Sequence, residues 1–422
     1  MKFWRGIIIG MAASAAALLL VPATGVAADL GISSDTIVRV LERDDKNGSM
    51  HSLLPVYEFL RLDYSAPRMP GLSLHVHGWG RLNLRDNYNS NTTAGELLYA
   101  YLDYLEPGSR DWQLRLGRQY IFEGVTRESI DGLYAKTDIV PTVTASAYAG
   151  FPVNLDETNG RTGDSIFGFR LAQGLPGYYD AAVSYKKVSN DSARDEEILG
   201  TDATLLLPGN ITLLGHSSYN LVTSGWGEHS YEARIPIASL EFRPFYQKFT
   251  YGDFFSSKPG SAHPFRFLSG YNDKITVVGS EGFWYPAENV EVGARYKHYE
   301  YDRRYGSADM YTALATLRRK IFSEVGIEFG RVEGDIAENR YYLGRAYAYW
   351  DAAPYFVTGD VMYVSYDDPI YREDRSFFAS LGVGGRFMEK ALTLKLSLDY
   401  SEDPYFAKDY RGTFAASYTY GK

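Results

Sequence analysis

The stretch that decides the fold lies near the C-terminus, at residues 392–399, and reads LTLKLSLD. Leucine occupies every even position, while Thr393, Lys395, Ser397 and Asp399 occupy the odd ones. Successive side chains of a β-strand point to opposite faces, so this stretch predicts a strand with one apolar and one charged face. Such a strand belongs to a sheet that separates two different solvents.

The same alternation returns along most of the chain, at residues 72–84, 290–297 and 311–318 among others. From Leu72 onward there is no helical period, and the alternating segments are about 9 to 14 residues long, as tilted membrane strands require. The mean hydropathy of −0.27 also argues against a bundle of membrane helices. The sequence therefore predicts a membrane-spanning sheet rather than a helical membrane protein.

The connections between these segments alternate in length, which predicts how the strands are arranged. Long connections lie near 86–95, 121–129, 152–164, 188–196, 222–228, 252–273, 302–308, 333–339, 367–375 and 401–410. Short ones lie near Pro107-Gly108, Val140-Pro141, Pro176-Gly177, Pro208-Gly209-Asn210, Pro236, Pro286, Phe322-Ser323, Ala353-Pro354 and Met388-Glu389. Outer-membrane barrels have short periplasmic turns and long outer loops. We therefore predict an all-β, transmembrane, antiparallel up-and-down barrel of about 20 strands over residues 72–422.

The first 28 residues have the pattern of a signal peptide. Lys2 and Arg5 precede an apolar run, Ile7 to Val21, and the small residues Val26 and Ala28 follow at the spacing of a cleavage site. The run is too short for a comfortable membrane span. We expect export through a cleaved signal, a mature chain that starts near Asp29, and location in the bacterial outer membrane.

Residues 29–71 precede the predicted barrel and allow several interpretations. Ser34-Asp35 could cap a short helix, and Pro55 to Tyr64 has the pattern of an extra strand, which would make the strand count odd. We expect a periplasmic lead-in; a plug folded into the lumen or a docking arm for a partner are the alternatives.

Composition excludes several functions. The chain has no cysteine, so it forms neither disulfides nor thiolate metal sites, and its formal net charge of −9 argues against nucleic acid as a partner. Its 36 tyrosines suit the aromatic girdles of a membrane barrel. His75 and His77 share a strand face, but two ligands are too few to predict a metal. His216 and Ser217, like His229 and Ser230, are sequence neighbours that point to opposite faces, and the histidines show no other grouping, so we predict neither an enzyme nor a cofactor.

The predicted inward face carries charges of both signs. The candidate lumen-lining residues are His75, His77, Arg81, Arg115, Arg170, Glu232, Arg234, Glu291, Arg295, Lys297, Arg318, Glu328, Lys395 and Asp399. Such a mixture suits a hydrated passage for polar solutes and equally a wet protein–protein interface. The longest loop, 252–273, contains the constriction candidates Phe254, Phe255, Phe265 and Phe267. They either pack at the barrel mouth or belong to a loop that folds inward.

The most distinctive local pattern is Leu116-Gly117-Arg118-Gln119, followed by Ile130-Asp131-Gly132-Leu133. Arg118 has the parity of Leu116, so it either reaches the headgroup level or is turned inward by a bulge. This pair of segments resembles large bacterial porins and alginate-export-type barrels.

A longer likeness runs from Ser34-Asp35-Thr36-Ile37 through Leu54-Pro55-Val56-Tyr57-Glu58 and Gly78-Trp79-Gly80-Arg81 to Phe151-Pro152-Val153. It is similar to porin-type barrels of metal-respiring bacteria, some of which sheathe multihaem cytochromes. The resemblance implies a porin-like channel for small solutes, embedded in outer-membrane lipid. The alternatives are an insulating scaffold around a periplasmic multihaem cytochrome, and an export channel; self-association is also open.

Overall fold

The computed structural model describes residues 30–45, 50–86, 93–108, 111–153, 164–189, 195–254, 273–301, 306–319 and 323–421. The first eleven strands are β1 (Leu30–Asp45), β2 (Met50–Ser65), β3 (Leu72–Asp86), β4 (Thr93–Leu105), β5 (Trp112–Glu123), β6 (Thr126–Val140), β7 (Val143–Pro152), β8 (Ser165–Leu175), β9 (Tyr179–Ser189), β10 (Glu196–Leu207) and β11 (Ile211–Asn220). They are followed by β12 (Gly225–Ile237), β13 (Leu240–Thr250), β14 (Lys274–Ala287), β15 (Val290–Tyr301), β16 (Ser307–Leu317), β17 (Glu324–Gly334), β18 (Tyr341–Ala352), β19 (Tyr355–Ile370), β20 (Glu373–Phe387), β21 (Leu392–Glu402) and β22 (Phe406–Tyr420). The predicted signal peptide lies outside the described residues.

Each strand pairs antiparallel with its neighbours in sequence, and the sheet closes on itself. β1 pairs with β2 along one side and with β22 along the other, from Ile32 opposite Tyr420 to Asp44 opposite Lys408. Closure leaves no strand edge bare, which removes the usual route to edge-to-edge aggregation. The predicted all-β, antiparallel, up-and-down barrel is confirmed.

The described residues form a barrel of 22 strands, not the expected number of about 20. The two additional strands come from residues 30–65, which were expected to form a lead-in, a plug or a docking arm; Ser34-Asp35 caps no helix but lies within β1. Their alternation is locally inverted, because Ser34, Thr36 and Glu58 share the face that carries leucines elsewhere. Two extra strands keep the count even, so the start of β1 and the end of β22 lie at the same end of the barrel.

The two faces of the sheet differ in character along nearly every strand. We call the face that carries the leucines of 392–398 the outer face, and the opposite one the inner face. Large apolar side chains are exposed on the outer face, such as Phe329 (58% exposed) and Leu381 (57%). On the inner face, side chains reach across intervening strands: Arg170 on β8 lies 2.7 Å from Asp202 on β10. Side chains converge in this way on the concave side of a closed sheet.

Most connections lie where the sequence predicts them, with the short turns at one end of the barrel. Pro236 and Pro286 lie within the ends of β12 and β14, just before their turns, and the other predicted turns fall between strands. Two connections differ. Only Gly124 and Val125 separate β5 from β6, where a long loop was expected at 121–129, and only Tyr371 and Arg372 separate β19 from β20, where one was expected at 367–375.

Within the described ranges, helical structure consists of one short helix and two 3-10 turns. Helix α1 (Tyr251–Phe254) follows β13, and the 3-10 turns are Ala337–Asn339 and Met388–Lys390. Among the described residues, no helix has the length and apolar character that a membrane crossing needs.

Candidate solute passage

The strand register places all fourteen predicted lining residues on the inner face. They are His75, His77, Arg81, Arg115, Arg170, Glu232, Arg234, Glu291, Arg295, Lys297, Arg318, Glu328, Lys395 and Asp399. That these residues line a solute passage stays a prediction. The sequence did not identify the ion-pair partners, most of which it left unassigned.

On the inner face of β14 to β17, acidic and basic side chains form a network across four neighbouring strands. Arg295 on β15 lies 3.5 Å from Glu281 on β14 and 3.7 Å from Glu328 on β17. Lys297 extends the network to Glu281 at 4.0 Å. Arg345 on β18 pairs with Asp360 on β19 at 2.5 Å. Each charge on this wall is therefore compensated by a neighbour of opposite sign.

The same pairing recurs at the turn end of the barrel and on other walls. Arg318 lies 3.3 Å from Glu291 and 2.9 Å from Glu324. Glu232 pairs with Arg234 at 2.7 Å. These pairs are partly exposed, so water screens them and each contributes little to stability. Their effect is to give the inner wall a polar surface without a dominant charge.

His75 and His77, the two histidines that a metal could have used, have other surroundings. His75 Nδ1 lies 2.6 Å from Asp63, its Nε2 lies 2.8 Å from Ser73 Oγ, and its ring stacks on Tyr101. Both ring nitrogens of His75 are therefore occupied. His77 contacts the ring of Tyr99, with centroids 5.2 Å apart. No group of three or more potential metal ligands occurs among the described residues.

The most unexpected feature of the inner face is the tip of the β5–β6 hairpin, which folds back into the barrel. Glu123 at the tip accepts a hydrogen bond at 2.5 Å from Tyr134, eight residues down β6 from Thr126. Eight residues of extended strand span about 26 Å, far more than two side chains can bridge. The tip must therefore curl over and lie against the inner wall.

Contacts with three further strands hold the hairpin tip in this position. Glu123 also accepts a hydrogen bond from Ser146 on β7 at 2.5 Å, and Thr126 Oγ1 bonds with the Tyr148 hydroxyl. The Val125 amide donates to Ser184 Oγ on β9 at 3.1 Å. A side chain at Gly200 on β10 would collide with Val125, so that glycine makes room for the tip.

A small apolar core lies between the folded hairpin and the wall. Its members are Ile121, Ile130, Tyr134, Tyr148, Ile166 and Val188, each no more than 5% exposed. A single layer of sheet cannot bury side chains so completely, whereas two packed layers can. The hairpin therefore forms a second layer that narrows the lumen beside β7, β8 and β9.

The Leu-Gly-Arg-Gln pattern lies where this curl begins. Gly117 has φ +128°, and a side chain there would collide with the backbone of β4. Gln119 is 1% exposed and donates to the carbonyl of Gly132 at 3.2 Å. Arg118 forms a two-pronged ion pair with Asp131, with both distances 2.8 Å. The pairing of β5 with β6 is continuous, so no bulge redirects Arg118; Asp131 compensates its charge instead.

Of the four constriction candidates, only Phe254 lies among the described residues. It belongs to α1, and its ring lies 4.7 Å from that of Phe249. Asn220 donates to the carbonyl of Asp253 at 2.8 Å, which ties the helix to β11. Phe254 therefore packs at the mouth of the barrel. Phe255, Phe265 and Phe267 lie outside the described residues.

Comparison with known proteins gives likenesses of structure alone. No protein-family model and no curated protein matches the chain. OccAB2 of Acinetobacter baumannii has a TM-score of 0.47 and 11% identity, over 94% of this chain and 100% of that one. OccK3 (OpdO) of Pseudomonas aeruginosa has a TM-score of 0.44 and 10% identity, over 93% and 95%. The P pilus usher (PapC) translocation pore gives 0.44 and 10%, over 93% and 100%. At these identities and TM-scores, the likenesses assign neither a family nor a function.

Proposed function

We propose that this protein is an outer-membrane β-barrel channel, which gives small polar solutes a water-filled passage across the membrane. The observation that carries the proposal is the closed sheet with opposite faces: exposed apolar side chains outside and compensated charges inside. The apolar outer surface is suited to contact with membrane hydrocarbon, and the charged inner surface is suited to contact with water.

The outer face is unsuited to water. Ile327, Phe329, Leu381 and Leu398 are each more than half exposed, on strands β17, β20 and β21. Soluble monomers rarely expose contiguous apolar surface beyond a few hundred Å², and larger surfaces mark contact with a membrane or a partner. A belt of this kind around the barrel fits the apolar band that outer-membrane barrels present to lipid.

Aromatic side chains at the short-turn end of the outer face support the same orientation. Tyr104 and Trp112 lie 4.9 Å apart beside one turn, and Tyr355 and Phe387 lie 6.3 Å apart near others. Trp350 is also exposed there, at 43%. Amphipathic rings favour the headgroup level of a bilayer, so these residues fit the periplasmic girdle of a barrel.

The folded hairpin favours small solutes over a folded protein partner. A barrel of 22 strands has a backbone radius of about 22 Å, which leaves an interior that wall side chains cannot fill. The hairpin adds a second layer inside that space. A multihaem cytochrome sheath and an export channel both need a wide lumen, so the hairpin counts against these alternatives.

Reconstitution of the purified chain in planar bilayers tests the proposal. A stable single-channel conductance is expected from the protein alone. Negligible conductance from a folded, detergent-solubilised barrel would contradict it. Haem absorbance that co-purifies with a non-conducting barrel would indicate the cytochrome sheath instead.

A further inference from the structure

The inner wall of β2, β3 and β4 carries two adjacent groups of rings, which together we call the aromatic strip. Its members are Tyr57, Phe59, Trp79, His77, Tyr99 and Tyr101. Trp79 lies 6.5 Å from Tyr57 and 6.4 Å from Phe59, and Tyr99 lies 5.7 Å from Tyr101. All six are partly exposed. His75 stacks on one face of Tyr101, and the guanidinium groups of Arg115 and Arg39 lie 5.6 and 5.9 Å from the ring centroids of Tyr101 and Tyr57.

The strip follows the direction of transport. From the level of Tyr101, paired with His75, to that of Trp79, the rings rise along β3 over about 13 Å of strand. A solute that moves through the lumen along this wall would therefore meet one ring after another. A single buried cluster would not present successive surfaces in this way.

The polar groups of the strip are unused. Within the described part of the chain, the hydroxyls of Tyr57, Tyr99 and Tyr101, the Trp79 indole N–H and the His77 imidazole have no hydrogen-bond partner. Tyrosines elsewhere on the inner face do have one: Tyr134 donates to Glu123, and Tyr349 donates to Asp351. The strip thus combines ring faces with a row of free donors and acceptors.

The charged groups beside the lower strip are, in contrast, already paired. Asp63 lies 2.7 Å from Arg61 and 2.6 Å from His75. Asp103 accepts hydrogen bonds from Gln113 at 2.8 Å and from Arg115 at 3.2 Å. Along this lower part of the strip, a carboxylate or ammonium solute would have to compete with these pairs, whereas a neutral polar solute would not.

A pyranose sugar has the matching chemistry: an apolar ring face bordered by hydroxyl groups. Its face can stack on Tyr and Trp rings, and its hydroxyls can bond with the unused polar groups. An aromatic hydrocarbon would stack as well but would leave those groups unsatisfied. We propose that the aromatic strip is a binding track for oligosaccharides, which become the solute class of the channel proposed above.

Sugar block of single-channel current tests this inference, which rests on the proposed function. The probes are maltohexaose and cellohexaose, glucose hexamers with α- and β-linkages, added to the wild-type channel in planar bilayers. At least one should interrupt the current in a concentration-dependent manner. Trp79→Ala should weaken that block by about tenfold, since loss of one stacked ring has an effect of this order.

Two further variants separate binding from folding. Tyr99→Phe keeps the ring and removes the hydroxyl, so it should conduct normally and bind the sugar more weakly than the wild type. Tyr299→Ala removes an inner-face ring from β15, across the barrel, where its hydroxyl contacts Met310 Sδ at 3.8 Å. This control should leave the block unchanged.

The outcomes distinguish the two proposals. Absence of conductance overturns the channel itself. Normal conductance without block by either hexamer overturns the sugar track and leaves the channel intact. Equal weakening of the block by Trp79→Ala and Tyr299→Ala also overturns the track, because binding would then not be located at the strip.

Discussion

Lys186 Nζ on β9 lies 3.0 Å from Oε1 of Glu128, which joins the inner wall of the barrel to the folded β5–β6 hairpin. The same ammonium lies 3.1 Å from Glu196, and Lys186 is only 5% exposed. A buried cation between two carboxylates is stable as a unit, but each carboxylate depends on it. The hairpin is thus anchored by charge as well as by its apolar core.

Lys186→Met should therefore destabilise the barrel strongly, by about 3–5 kcal/mol, because it leaves two acids without their buried counter-charge. The free energy of unfolding in urea, measured in detergent or lipid vesicles, checks this value. Lys187→Met is the matched control: Lys187 is partly exposed and lies 3.9 Å from Glu197, so its loss should cost less than about 1 kcal/mol. Similar costs for both variants would contradict the anchoring role.

Gly200 on β10 leaves the space that the hairpin tip occupies. In Gly200→Ala the new methyl group collides with Val125, so the tip should be displaced from the wall. Because the hairpin narrows the lumen, we expect a larger or noisier single-channel conductance. Gly330→Ala is the control, since a methyl group on that inner-face glycine meets its nearest atom at 3.5 Å. An unchanged current in Gly200→Ala would show that the hairpin does not limit flow.

The sequence predicts most of the barrel because the two faces differ so consistently from β3 onward. Leu392 to Asp399 is representative, and the short turns at Pro176-Gly177 and Pro208-Gly209 lie where Pro and Gly predict them. β1 was missed because its polarity is locally reversed: Ser34 and Thr36 donate to Glu58 on the outer face. Within β2, Pro55 to Tyr64 has the pattern of a strand, but it was left out of the barrel because one extra strand made the count odd. Alternation alone cannot detect a strand whose outward polar groups satisfy one another.

The hairpin tip could not be predicted, because its position depends on contacts between residues far apart in sequence. Val125 meets Ser184 and Gly200 only after the barrel has closed. The Leu-Gly-Arg-Gln pattern lies where the hairpin begins to curl, and Gly117 in it indicates a close approach to a neighbouring backbone. Neither indicates the direction in which the hairpin folds.

A charged side chain introduced on the outer face should lower the free energy of unfolding, whereas one introduced on the inner face should not. Leu381→Arg places a cation on the exposed apolar surface near the middle of β20 and should cost about 2–4 kcal/mol of unfolding free energy in lipid vesicles. Ser380→Arg places the same side chain on the inner face, opposite Asp399 and Asp360, where it can pair. We expect a cost near zero. If both substitutions were equally harmful, the faces would not meet different solvents.

Compensated charges on the inner wall predict weak ion selectivity in the wild-type channel. Asp360→Asn frees Arg345, which should shift the permeability ratio toward anions. An exposed unit charge at 4 Å is worth about 1 kcal/mol in water, so the shift should not exceed about fivefold. The reversal potential in a salt gradient measures it, and Arg345→Gln should shift it toward cations. Shifts in the same direction for both variants would contradict the pairing.

The central claim is that alternate residues of one strand meet lipid and water. Because the chain contains no cysteine, single cysteines can be introduced one at a time from 392 to 399 on β21. In lipid vesicles, we expect labels at the even positions to be quenched by lipid-attached quenchers, and cysteines at 393, 395, 397 and 399 to react with a water-soluble thiol reagent. Reaction with that reagent at even and odd positions alike would contradict the account.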